Sequence, residues 1–221
     1  MNEPQQNHYL FPKWANRLPL YIALGFLSLL SFIVFVFYYW FSPKNLEVGY
    51  QPQQPVPFSH RLHAGEYGID CRYCHFTVEK AAHAAVPPTQ VCMNCHKAVK
   101  PDSPKLFKVR ESYTSGKPIK WVKVHNLPDY AYFNHARHVN AGVSCVHCHG
   151  RVDQMDVVYQ AKPLSMGWCL ECHRNPAPFI RPKEFVTKLS WLPEGDPAEL
   201  GRTLIKQYNI HTREDCSTCH R

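Results

Sequence analysis

The sequence predicts a domain of short helices and irregular chain that follows a single membrane-spanning helix. Three observations predict this class. Residues 18 to 41 carry no charged side chain. The 19 prolines, most of which lie beyond that segment, disfavour long helices and central strands. All ten cysteines fall inside five copies of the pattern Cys-x-x-Cys-His, which leaves little chain between the copies for a conventional core.

The first predicted element is the uncharged segment from residue 18 to residue 41. Its 24 residues, at about 1.5 Å each, can cross a hydrocarbon layer of about 30 Å. Lys13 and Arg17 precede the segment. Its far end carries the interfacial aromatic residues Tyr38, Tyr39 and Trp40. No small-residue cleavage site follows, so we expect a retained transmembrane anchor, with residues 1 to 17 in the cytoplasm and the rest outside.

The five cysteine frames read CRYCH, CMNCH, CVHCH, CLECH and CSTCH in chain order. Structural disulfides need no histidine, and a zinc site would use only two or three of the five histidines. Covalent attachment of c-type haem uses every member of the frame. Thiols at i and i+3 share one side of a helical turn and reach both vinyl groups of a porphyrin, while the next histidine ligates the iron. The sequence therefore predicts five covalently bound haem c groups.

The predicted attachment residues follow from the frames. The thioether-forming cysteines are Cys71, Cys74, Cys92, Cys95, Cys145, Cys148, Cys169, Cys172, Cys216 and Cys219. The proximal iron ligands are His75, His96, His149, His173 and His220. We expect His147, which lies between two cysteines, to face solvent or a haem propionate. Haem is attached outside the cytoplasm, in agreement with the predicted orientation of the anchor.

The haem-bearing domain is predicted at residues 58 to 221. Five haems in roughly 180 residues leave about 36 residues each, too few to build an ordinary core around every cofactor. The haems must then form the core, with short α-helices packed round them, an arrangement that resembles class III multihaem cytochromes c. Residues 42 to 57 include YQPQQPVP, which indicates an extended linker.

A duplication organises this domain into two dihaem modules, at about 55 to 97 and 130 to 174, with the fifth haem at about 211 to 220. Each module begins with a phenylalanine and a His-x-x-His pair before a haem frame. In class III cytochromes, which these segments resemble, the two histidines of such a pair serve different haems as distal ligands. The distal ligands predicted in this way are His60, His63, His135 and His138.

The fifth distal ligand stays open between histidine and methionine. His211 is favoured because it lies five residues before Cys216. Met155 follows the third frame closely enough to fold back over a neighbouring porphyrin, although a buried methionine more often only packs. The remaining candidates are His83, His125 and Met166.

Two connecting segments also predict local structure. Residues 105 to 125 alternate apolar and basic side chains about an SGKP turn, which predicts two short strands. They would form either a solvated basic hairpin or a docking surface for a partner subunit. Asp196, Pro197 and Glu199 occupy helix-start positions, so a short amphipathic helix that packs on the haem assembly is expected.

The net charge gives no support for nucleic-acid binding. The polypeptide carries a formal charge of +8. Each ferric haem with two histidine ligands and two ionised propionates would add about −1, which leaves about +3. The basic excess is therefore mostly internal compensation for the cofactors.

The order and the residues of these motifs resemble those of one known family. The anchor and the five frames are accompanied by the segments VPPTQVCMNCH, WVKVHNLPDYAYFNH and SMGWCLECH. Over nearly all of its length the chain thereby resembles the membrane-anchored pentahaem cytochrome c subunit of alternative complex III. The resemblance implies an electron-transfer subunit of a bacterial respiratory quinol-oxidising complex, with its haem domain in the periplasm and its anchor in the inner membrane. The implied partners are an iron–sulfur, molybdopterin-like subunit, integral membrane quinol-binding subunits and a monohaem cytochrome c, with that cytochrome or a terminal oxidase as acceptor.

Two other functions stay open. A stand-alone membrane-anchored quinol dehydrogenase of the small tetrahaem type shares the anchor and haems, but it usually has methionine two residues after its first frame, where this chain has Thr77. A multihaem reductase needs one iron with an open face. Because the frames are regular and nine histidines are available besides the five proximal ones, we expect a non-catalytic electron conduit.

Overall fold

The computed structural model describes residues 12 to 42 and 47 to 220. The predicted cytoplasmic tail lies mostly outside these residues, and so does part of the predicted linker, at residues 43 to 46. The chain divides into two units, with the boundary between residues 46 and 47.

The first unit contains one long helix. A 3₁₀ turn at Lys13–Arg17 leads into helix α1, Leu18–Trp40, in which Pro19 occupies a first-turn position where no N–H is needed. None of the residues of α1 is buried. By length and composition the segment Trp14–Trp40 could cross a membrane, so α1 is a candidate anchor near the N-terminus.

The second unit is built from short helices and irregular chain. Its α-helices are α2 (Cys71–Cys74), α3 (Thr89–His96), α4 (Phe107–Ser115), α5 (His135–Asn140), α6 (Cys145–His149), α7 (Met166–Arg174), α8 (Pro197–Gln207) and α9 (Cys216–Cys219). A π-helical turn lies at Arg61–Glu66, and 3₁₀ turns lie at Pro104–Leu106, Val152–Gln154, Ala177–Phe179 and Lys183–Phe185. The five cysteine frames lie on α2, α3, α6, α7 and α9, which confirms the prediction of short helices at the frames.

Amino-acid side chains form only a thin core in this unit. Among the described residues of the whole chain, eleven apolar side chains are buried. Two small clusters hold most of the packing, one formed by Val56, Met93 and Val109 and the other by Val78, Val139 and Val186. Cys92 packs on the first cluster and Cys145 on the second. Clusters of this size beside the frames fit an interior that is completed by bound cofactors.

The basic segment at residues 105 to 125 does not form the predicted strands. Its first half is helix α4, which Gly116 ends in the left-handed conformation with φ +71. Leu106, Val109 and Tyr113 lie at helical spacing; Val109 belongs to the first cluster, and the other two pack against it. This 3.6-residue period outweighed the short alternating pattern. In the part of the chain that the structure describes, β-pairing is limited to an isolated bridge between Val143 and Ile180.

The predicted C-terminal helix is confirmed as α8. Its N-cap is Asp196, whose carboxylate accepts a hydrogen bond from the Ala198 N–H at 2.9 Å. Leu204 is buried, and Gly201 approaches the 3₁₀ turn so closely that a Cβ at this position would collide with the Ala177 carbonyl. The helix is therefore packed onto the chain that follows the fourth frame.

Candidate functional site

The cysteine frames are held at the starts of their helices or within them. All ten cysteines are free thiols. In three frames a side chain caps the helix: Asp70 accepts from the Arg72 N–H at 2.8 Å, Ser144 from the Val146 N–H and Ser165 from the Trp168 N–H, both at 3.4 Å. Each frame therefore presents two unpaired thiols one helical turn apart, as attachment to a porphyrin requires.

Seven histidines share one hydrogen-bond arrangement, in which Nδ1 lies within 3.0 Å of a main-chain carbonyl oxygen. They are His63, His75, His96, His135, His138, His173 and His220. An Nδ1–H that donates to a carbonyl leaves the lone pair on Nε2, which is the form that binds a metal. All seven are predicted iron ligands, four of them proximal and three distal.

In three pairs of predicted ligands, the two imidazole rings are separated by nearly the same distance. The distances between ring centroids are 6.2 Å for His63 and His96, 6.4 Å for His135 and His149, and 6.0 Å for His138 and His173. A metal–imidazole bond is about 2 Å, and the ring centre lies about 1.1 Å further back, so two imidazoles on opposite faces of one iron have centroids about 6 Å apart. Each pair joins a distal candidate to the histidine of a frame.

His60 supplies the fourth pairing. Burial is the main cause that lowers the pKa of His60 to about 4, and the nearby His75 and His63 lower it further. Its Nδ1 is buried and has no hydrogen-bond partner among the described residues. In the duplicated modules His60 corresponds to His135, so its partner would be His75, the histidine of the first frame. A buried neutral imidazole beside a frame histidine suits a metal ligand.

Taken together, these features fit covalently bound haem. Paired free thiols, imidazole pairs separated by the span of one iron and a thin apolar core are all explained by the same cofactor. A disulfide framework would leave the histidine pairs unexplained.

Comparison with known proteins agrees with this geometry. The family described as cytochrome c7 and related cytochrome c matches residues 131 to 221, which cover the second module and the last frame. The menaquinone reductase multihaem cytochrome c subunit of Nitratidesulfovibrio vulgaris (strain Hildenborough) is 30% identical over 164 residues, 65% of this chain and 77% of that protein. The chain belongs to this family of multihaem cytochromes c. It is therefore an electron-transport protein that binds c-type haem covalently.

The two modules of the cytochrome meet at their first frames. The neighbouring Cys145 thiol is the largest cause that lowers the pKa of Cys71, so the first and third frames lie side by side. Burial, followed by the nearby Cys92 thiol, raises the pKa of Cys74, so the second frame lies beside the first.

The later frames of the cytochrome continue the series. Burial, followed by the Cys172 thiol, raises the pKa of Cys148 to about 12, which places the fourth frame beside the third. Burial, followed by the Cys219 thiol, raises the pKa of Cys169, which places the fifth frame beside the fourth. The frames therefore follow one another in space in the order second, first, third, fourth, fifth.

Two candidates for the fifth distal ligand occupy different surroundings. Met155 is 5% exposed, its methyl group lies beside Gly150, and its carbonyl accepts from the Arg61 N–H at 3.0 Å. It therefore lies between the first module and the third frame. His211 is exposed, and its Nε2 lies 2.8 Å from Oδ1 of Asn209.

Two histidines of the cytochrome depart from what the sequence indicated. His125 Nε2 lies 3.3 Å from His149 Nδ1, with ring centroids 4.3 Å apart, too close to share an iron. No sequence spacing predicts this contact, because 24 residues separate the two. His147 packs against Phe179 with ring centroids 5.3 Å apart, and burial is the main cause that lowers its pKa to about 4. His147 is therefore half-buried under the turn after the fourth frame and does not fully face solvent, while its contact with a haem propionate stays a prediction.

Proposed function

We propose that this cytochrome is the pentahaem electron-transfer subunit of a bacterial respiratory quinol-oxidising complex of the alternative complex III type. The observation that carries the proposal is the set of four histidine pairings, which would close both faces of four irons. Six-coordinate irons suit electron transfer and leave no open face for a substrate. The chain is then a conduit with no small-molecule chemistry of its own.

In this proposal each frame holds one haem c by its two cysteines and its histidine. The distal ligands of the first to fourth haems are His60, His63, His135 and His138, in that order. Haem c supplies reversible one-electron transfer at its iron. The chain's own part is to orient the imidazoles by their Nδ1 hydrogen bonds and to exclude water from the buried rings.

The spatial order of the frames supports electron entry and exit at the two ends of the series. The second and fifth frames are the terminal ones, and each has an exposed cysteine, Cys95 or Cys216. Partner subunits can approach an exposed end more closely than a buried centre. The proposed partners are an iron–sulfur, molybdopterin-like subunit, integral membrane quinol-binding subunits and a monohaem cytochrome c or terminal oxidase.

The proposed topology has a cytoplasmic tail at residues 1 to 17, an anchor at 18 to 41, a linker at 42 to 57 and a periplasmic haem domain at 58 to 221. Support comes from the apolar helix α1 and from the relative, which is named as a subunit of a menaquinone reductase. A membrane-held cytochrome beside a quinone-handling subunit would unite these observations. The relative also favours a second candidate, in which electrons flow through the chain toward menaquinone.

The native complex, purified in detergent, tests the proposal. Mass spectrometry and pyridine haemochrome assay should give five haems per chain, one for each frame. Menaquinol should reduce these haems, whereas carbon monoxide should bind the reduced protein little. Fewer than five haems, or extensive carbon monoxide binding at one haem, would contradict the proposal. Haem reduction by menaquinol without transfer to any cytochrome or oxidase, together with rapid menaquinone reduction, would favour the second candidate.

A further inference from the structure

One frame histidine stands outside the four pairings. His220 donates from Nδ1 to the Tyr130 carbonyl at 3.0 Å, so its Nε2 carries the lone pair for an iron. The segment before this frame is tied to α7, because His173 Nδ1 donates to the Arg213 carbonyl at 2.8 Å and Arg174 pairs with Glu214. The opposite ligand of the fifth iron is therefore sought near α7.

Met166 is the first residue of α7 and lies one helical turn before Cys169. Residues at i and i+3 share one side of a helix, so Met166 and Cys169 lie on the same side of α7. The Cys169 thiol is close enough to Cys219 for their charges to interact, so this side of the helix faces the fifth frame. The Met166 side chain is 64% exposed, which is unusual for methionine. The Met166 thioether therefore has little packing of its own, and its helical position places it on the side of α7 where a ligand is needed.

The other candidates are engaged elsewhere. Met155 is packed between the first module and the third frame, and His211 directs its Nε2 to Asn209. His125 has its Nε2 against the third-frame histidine. His83 lies in the first-frame loop and beside His135, the distal ligand proposed for the third haem, rather than at the fifth frame.

We propose that Met166 is the distal ligand of the fifth haem, opposite His220. This assignment rests on the proposed function, because it takes the four histidine pairings as iron ligands. A thioether favours ferrous iron relative to imidazole, so the fifth site has a higher reduction potential than its four neighbours. The fifth frame is also one end of the spatial series, and a high potential at a terminal site draws electrons toward it. Met166 thereby marks the fifth haem as the exit to the acceptor.

The test uses the full-length cytochrome in detergent, in its oxidised form. The near-infrared band from methionine-to-ferric-iron charge transfer is expected in the unsubstituted protein and is lost in Met166→Leu. The matched controls Met155→Leu and His211→Ala keep the band. Met166→His restores a six-coordinate iron, abolishes the band and lowers the highest midpoint potential, whereas Met166→Leu allows carbon monoxide to bind one haem.

Loss of the band in Met155→Leu, or its persistence in Met166→Leu, would overturn the assignment. The assignment would also be overturned if the unsubstituted protein lacked the band and the His211→Ala variant newly bound carbon monoxide. Haem content is measured in every variant, because the thioether bonds do not depend on the distal ligand. A haem count below five in the unsubstituted chain would contradict the proposed function. Five haems together with a near-infrared band that does not depend on Met166 would contradict only the role of Met166.

Discussion

At the scale of single residues, the main chain determines how most of the histidines can act. Carbonyl groups accept from Nδ1 of seven predicted ligands, which leaves Nε2 for iron. His149 differs, because its Nδ1 faces the Nε2 of His125. Burial, followed by the neighbouring His125, lowers the pKa of His149 to about 3, which favours the neutral ring. In the proposed ligation its Nε2 binds iron, so its Nδ1–H donates this hydrogen bond to His125. Within the proposed function, His125 is therefore a positioning residue for the third haem.

Replacing His125 by alanine removes the acceptor and leaves the Nδ1–H of His149 unpaired. A ligand without its acceptor is less basic, so the midpoint potential of the third haem should rise. A ten- to hundred-fold change in the relative stability of the two oxidation states corresponds to about 60 to 120 mV. Redox titration monitored by electron paramagnetic resonance measures both the potential and the altered ring orientation.

His125→Gln serves as the conservative variant, since its side-chain oxygen can accept and should restore part of the shift. His211→Ala is the matched control, because His211 is exposed and lies in the segment before the fifth frame. An unchanged potential and spectrum in His125→Ala would rule out the positioning role.

At the scale of elements, the frame helices are too short to be stable alone, so their caps matter. Asp70 caps α2 and also accepts from the Thr187 hydroxyl at 2.9 Å, which ties the first frame to the chain after the fourth. The Arg72 guanidinium is the main cause that lowers the pKa of Asp70 to about 2. The carboxylate therefore stabilises the folded state only while it is ionised.

Asp70→Asn should lower the free energy of unfolding by about 1 kcal/mol at neutral pH, as loss of a charged cap does, with solvent screening keeping the effect small. Because the folded pKa lies below the ordinary value of 3.8, the stabilisation is full above about pH 4 and fades as the pH falls toward 2. Guanidinium denaturation at pH 7 and pH 3 measures the difference. The control is Asp102→Asn at an exposed position. If the difference in unfolding free energy between the unsubstituted protein and Asp70→Asn did not shrink at pH 3, the stabilising role of the ionised Asp70 carboxylate would be contradicted.

The contact between α8 and the turn Ala177–Phe179 depends on the absence of a side chain at Gly201. In Gly201→Ala the new methyl group meets the Ala177 carbonyl, so the helix must shift. We expect a loss of about 1 to 3 kcal/mol in the free energy of unfolding, in spite of the better helix propensity of alanine. Denaturant titration measures this loss. The control is Gln207→Ala, an exposed substitution in the same helix, which should change the free energy of unfolding by no more than about 0.5 kcal/mol. Equal free energies of unfolding for the two variants would show that the helix accommodates the new methyl group without loss of stability.

At the scale of the whole molecule, the chain combines one apolar helix with a unit that has little apolar core of its own. The proposed topology places them in the membrane and in the periplasm. Protease added to intact spheroplasts should then digest the haem-bearing unit, with haem-stained fragments as the readout. Protection of that unit in spheroplasts, with digestion only after lysis, would reverse the topology.

The sequence by itself determined the kind of cofactor, the candidate anchor α1 and the capped helix α8, and it predicted the attachment residues. Each depends on residues close together in the chain: frames of five residues, an uncharged segment, or a cap and its first turn. Only the tertiary structure decided that the first and third frames lie side by side, that His125 lies against His149, and that residues 107 to 115 form a helix. The first two features join segments that are distant in sequence, and such contacts leave no period or spacing within a single segment. The helix carries a helical period of its own, but its packing on Val56 and Met93 decided between that period and the alternating pattern.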